Sequence, residues 1–143
     1  MLSAPRVALY LDDAALKADL VAECRRLMAT VDADGYIGSY ADRLNVGIPP
    51  EVLRKHSGAT NWNLWNRKYM VWGLYAGYRM SGERDILEAA ARQMRQIVGM
   101  VRDNGIRLEE TGHPGLNGMP SMSILKPLMQ LYALGGYTFS ARW

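Results

Sequence analysis

The sequence predicts an all-α protein made of helical hairpins in series. Three observations carry that expectation. Segments 14–30, 62–81, 83–103 and 123–134 repeat apolar residues at intervals of three and four, which puts them on one helix face. The connections alternate in length: Asp12-Asp13, Ser81-Gly82 and Gly135-Gly136 are tight turns, whereas 32–61 and 104–120 are long. The hairpin turns also resemble one another, as Ala8-Leu9-Tyr10-Leu11-Asp12-Asp13, Leu74-Tyr75-Ala76-Gly77-Tyr78 and Leu131-Tyr132-Ala133-Leu134-Gly135-Gly136 show. Serial hairpins build an α/α barrel or a solenoid, and neither closes its core with two or so of them. The 143 residues are therefore expected to form one partial domain, 1–143, truncated at both ends.

Taken in order, Val7 to Leu11 read as the last turns of an apolar helix. Asp12-Asp13 caps the next, about 14–30, whose buried stripe is Leu16, Leu20, Cys24, Leu27 and Val31. The connection 32–61 holds Asp34-Gly35-Tyr36-Ile37-Gly38-Ser39-Tyr40, an aromatic content that argues against disorder. The helix from Trp62 to Ser81 is the most apolar, with Thr60 or Asn61 as its cap. Trp62, Trp65, Tyr69, Trp72 and Ala76 share one face, and Leu64, Val71, Tyr75 and Tyr78 line the next. A helix apolar on two sides is expected to be enclosed by neighbours. Leu87, Ala90, Met94, Ile97 or Val98, and Val101 give 83–103 a single buried stripe, so it is an outer helix. After the connection to Pro120, Ser121 or Ser123 is expected to cap the last helix, with Leu125, Leu128, Met129, Leu131 and Tyr132 apolar. The end, 137–143, contains no complete further element.

Composition excludes several functions. Apolar residues make up 49% and charged residues 22%, ordinary for a globular chain. The net charge is +3 and the arginines are scattered, so no nucleic-acid partner is expected. One cysteine, Cys24, rules out a disulfide framework or a Cys-rich zinc site within the chain. No metal or other cofactor is called for, since His56, His113 and Cys24 are too scattered to specify a site. No membrane partner is expected, because no apolar run reaches a span; without a signal peptide, the cytoplasm is the default compartment.

Antiparallel helices joined this way bring both long loops to one end, where the helices starting near Trp62 and Ser123 point their free N–H groups. Asp34, Tyr36, Tyr40, Trp62, Asn63, Asn66, His113 and Asn117 are expected to gather there. Amides and a guanidinium (Asn63, Asn66, Arg67) among aromatic rings suit a sugar or another neutral polar ligand. The plainer alternative makes the tryptophans core and the asparagines caps.

The runs Asp32-Ala33-Asp34-Gly35-Tyr36-Ile37-Gly38-Ser39-Tyr40, Trp62 to Tyr69 and Gly112 to Pro127 together resemble the N-terminal catalytic region of bacterial β-L-arabinofuranosidase-like glycoside hydrolases (family 127 and relatives). The likeness covers most of 4–134. It implies part of an (α/α)6 barrel of the six-hairpin glycosidase type, and sugar contacts from 34–40 and from 62–69, which adds Tyr69 to the candidates. The chain departs from the family in carrying Trp62, Asn63 and Tyr69 where better-studied members have histidine and glutamate, and Lys126 where an acidic residue is expected. The family's cysteine nucleophile, zinc-binding cysteines and acid/base glutamate have no counterparts here, and adjacent Glu109 and Glu110 read as solvated loop charges rather than a flanking pair. The chain is thus expected to be a fragment that contributes part of a carbohydrate cleft. The alternative is a non-catalytic hairpin module that binds a protein partner or self-associates through uncovered apolar surface.

Overall fold

A computed structural model describes residues 3–47, 61–112 and 118–134. Among them the regular elements are all helical, as the periodicity required. Helix α1 is Ser3–Tyr10 and α2 is Ala14–Met28. The long helices are α3, Asn63–Ser81, and α4, Arg84–Asp103. A 3-10 turn, Leu108–Glu110, precedes the short α5, Met119–Met122, and α6, Leu125–Ala133.

The tight turns form for the expected reasons. Asp13 accepts the Leu16 N–H at 2.9 Å and so caps α2. Gly82 takes the left-handed conformation (φ 74°), and its N–H closes α3 on the Tyr78 carbonyl at 2.7 Å. The last helix starts differently from expectation. Neither Ser121 nor Ser123 caps α6, whose N-cap is Ile124. Instead Gly118 and Pro120 open the separate turn α5, because proline suits a first helical turn, and Ser123 Oγ donates to the Pro120 carbonyl.

The core lies between α3 and α4. Leu64, Val71 and Leu74 meet Ile86, Ala90, Met94 and Ile97, with Ile124 and Leu131 closing one side. Two burial expectations are revised. No residue of α2 is fully buried: Leu20, Cys24 and Leu27 border an apolar cleft of about 460 Å³ against Pro5, Gly73 and Gly77. Cys24 is half-buried, and desolvation, then the charges of Glu83 and Glu23, raise its thiol pKa, so it is not an activated nucleophile. On α3 the buried faces carry Asn63, Leu64, Arg67, Lys68, Val71 and Leu74, whereas Trp62, Trp65, Tyr69 and Trp72 are only half-buried. Periodicity grouped those rings correctly but could not say that, among the described residues, none encloses them.

Both long connections meet at the start of α3. The Asn61 N–H donates to the Gly112 carbonyl (3.4 Å), and the Gly112 N–H donates to the Val46 carbonyl (3.0 Å). Gly82 lies at the opposite end of α3, so loop end and turn end are separate poles.

Candidate functional site

The loop 32–47 folds first on itself. Asp32 accepts the Tyr36 N–H at 2.8 Å, and its other carboxylate oxygen accepts Arg43 at 2.6 Å. Asp34, exposed, is also ion-paired with Arg43. Tyr36 is buried, and two guanidinium groups lie over its ring, Arg43 at 5.0 Å and Arg67 at 4.9 Å from the centroid. Its hydroxyl donates to the Tyr40 carbonyl at 3.0 Å, and the ring folds over Gly38, where a Cβ would overlap it.

Three sets of hydrogen bonds then tie this loop to the scaffold. Gln93, buried on α4, donates to the Gly35 carbonyl and accepts the Ile37 N–H at 3.1 Å. The Tyr40 hydroxyl accepts the Trp62 N–H at 2.9 Å, one of the donors a helix start leaves free. Asn61 accepts the Asn63 N–H at 3.0 Å and donates to the carbonyls of Asn45 (2.9 Å) and Gly47 (3.0 Å). Asn63, 1% exposed, donates to the carbonyls of Asn45 and Arg43, while its own carbonyl oxygen has no hydrogen-bond partner.

Of the sequence candidates, Asp34, Tyr36, Tyr40, Trp62 and Asn63 are thus brought together around the start of α3. Asp34 and Tyr36 spend their polar groups, and Asn63 its amide N–H groups, on holding the loop. Asn66 is half-buried one turn along, and Tyr69 lies further down the same helix. His113, Asn117 and His56 fall outside the described residues.

The surface left at this end is aromatic. Trp62 meets Trp65 edge to face (centroids 5.7 Å apart), Trp65 meets Tyr69 edge to face (5.4 Å), and Tyr69 stacks on Trp72 (6.2 Å, 21°). Lys68 places its ammonium 3.5 Å from the Trp65 centroid and 3.8 Å from that of Tyr69. Lys126, from α6, reaches over Trp72 at 4.5 Å. Residue types pointed to Trp62 and Asn66, and the family resemblance to Tyr69; Trp65, Lys68, Trp72 and Lys126 were missed as site residues. Lys68 has the signal of an ammonium inside an apolar helix, whereas Lys126 reaches the rings only through tertiary folding.

Arg67 is fully buried. It donates to Gln96 and contacts Met100 Sδ at 3.4 Å, its Nε has no partner, and no described carboxylate pairs with it. Burial lowers its pKa from the ordinary guanidinium range to about 10, with Arg43 adding to the shift and Tyr36 and Asp32 opposing it. The folded state therefore binds fewer protons than the unfolded chain from about pH 10 up to the ordinary guanidinium range, so this group's stability contribution rises with pH in that window. At pH 7 the full cost of the buried charge remains. Arg67→Met is expected to leave the fold at least as stable at pH 7, read from the urea unfolding midpoint; a clear loss would mean that the contacts outweigh the desolvation.

The loop carboxylates are committed elsewhere. Glu109 is ion-paired with Arg107 at 2.7 Å, and Glu110 lies 3.2 Å from the same guanidinium. The Glu109 backbone N–H and then Arg107 hold the Glu109 carboxyl below its ordinary range. A general acid at neutral pH needs the opposite shift. Among the described residues, no group of three His, Cys, Asp or Glu side chains is placed to hold a metal, and no helix is long and apolar enough to cross a membrane. Comparison with protein-family models, with curated proteins and with solved structures returns no match.

Proposed function

We propose that this chain supplies the aromatic wall of a carbohydrate-binding cleft in a glycoside hydrolase scaffold. The scaffold is part of an (α/α)6 barrel of the β-L-arabinofuranosidase-like type, its ligands are β-L-arabinofuranoside-like glycans, and the nucleophile does not come from this chain. The observation that supports the reading most is the half-buried ladder Trp62–Trp65–Tyr69–Trp72, beside the junction of both long loops. Ring faces left partly in water gain by stacking on the C–H faces of a sugar, and hydroxyls find polar groups such as Asn66 beside them.

Titrating arabinofuranosyl oligosaccharides while following tryptophan fluorescence tests this. A saturable change is expected, weakened about tenfold or more in Trp65→Ala, the scale of one stacked anchor. No change with any oligosaccharide, or equal binding by Trp65→Ala, would contradict the reading.

A second reading rests on a different surface. Met122, Leu125, Met129 and Tyr132 form an exposed apolar stripe along α5 and α6, and Val7, Tyr10 and Leu11 are exposed at the α1 edge. These suit a hairpin module that self-associates or binds a protein. Concentration-dependent mass in light scattering would favour it; a monomer at all concentrations would remove self-association.

A further inference from the structure

The aromatic ladder carries two ammonium groups against its rings. Lys68 lies one residue before Tyr69 and four before Trp72, and Lys126 approaches Trp72 from α6. Lys68 is 3% exposed, its ammonium covered by the Trp65 and Tyr69 rings. Among the described residues no carboxylate pairs with either lysine. The ion pairs take the acids elsewhere, Asp32 and Asp34 to Arg43, Glu109 and Glu110 to Arg107.

Resting on the carbohydrate reading, we propose that the glycan taken by this ladder is acidic, its negative group held by Lys126 and Lys68 while its ring stacks on Trp65, Tyr69 and Trp72. The group is a uronate carboxylate or a sulfate ester; both present oxygens that accept charge-assisted hydrogen bonds from an ammonium. The attraction of ring faces for a cation is small beside the cost of taking an ammonium out of water. Lys68 is therefore held in a state that an anion would relieve, and burial accordingly lowers its pKa. Lys126 is exposed and meets the anion first, whereas contact with Lys68 requires the Trp65 or Tyr69 ring that covers it to turn aside. Ligands for such a site are recognised by a face and a charge together, which a neutral sugar supplies only in half.

The test compares three probes by calorimetry on the full chain: a trigalacturonate, its methyl ester, and a sulfated galactan oligosaccharide. The acidic probes are expected to bind at least about tenfold more tightly than the ester, with the advantage shrinking as salt rises. Lys126→Gln, at an exposed position, and Lys68→Met should each reduce that advantage, read as the ratio of acid to ester affinity. Preference for the carboxylate or for the sulfate probe tells which anion the lysines accept, and either supports the proposal. Equal affinity for acid and ester overturns it and leaves the carbohydrate reading standing. Failure of all three probes to bind overturns the proposal, and the carbohydrate reading falls with it only where arabinofuranosyl oligosaccharides also fail.

Discussion

Gly118→Ala is expected to destabilise the fold by about 3 kcal/mol, combining left-handed backbone strain with overpacking. Gly118 has φ 71°, and a Cβ there would run into the backbone of Leu108 and Glu109. Those atoms belong to the 3-10 turn, whose Thr111 N–H and hydroxyl both bond the Leu108 carbonyl (3.2 and 2.7 Å). The obstacle is thus main chain in a hydrogen-bonded turn, with no side-chain tip to swing aside. Urea or thermal unfolding reads the effect. A loss below about 1 kcal/mol would mean that this turn yields easily, contrary to the close packing described.

Gln93→Leu has an effect of similar size through a different cause. The leucine preserves bulk but leaves the Gly35 carbonyl and the Ile37 N–H without the partner they have on α4. Ile37 is 3% exposed, so water does not readily replace the lost bonds. Stranding two buried backbone groups costs about 3 kcal/mol. Loop 32–47 loses its hold on α4, and with it the support for the Tyr40 hydroxyl at the Trp62 N–H. Saccharide affinity should therefore fall even though Gln93 touches no ring of the ladder. Unchanged stability would show that the loop is held by its other bonds alone.

Much of the scaffold was legible because its signals are local. Asp13 ahead of an apolar period, Gly82 after one, and Asn61 two residues before Asn63 act within a few residues of themselves. The alternation of tight and long connections was enough to bring Val46, Asn61 and Gly112 to one pole. The site was less legible because its decisive contacts are long-range. Asn63 read as a ligand amide, yet its donors go to carbonyls some twenty residues earlier in the chain, a use that depends on how loop 32–47 returns. Arg67 read as a surface guanidinium, yet Tyr36 and Met100 close over it. Pro120 looked like the end of a loop, though after Gly118 it opens a helical turn. Periodicity put the four rings on one face; how far neighbours cover that face is set by tertiary packing, which leaves the rings half-buried.

The carbohydrate reading depends on those rings making the contact. The direct measurement is a nitrogen–proton correlation spectrum of the labelled chain during saccharide titration, following the indole N–H signals. Trp62, Trp65 and Trp72 are expected to shift together and saturate at one concentration, while amides of the exposed stripe on α6 stay in place. Saturable shifts confined to that stripe, with the three indoles unmoved, would contradict the account.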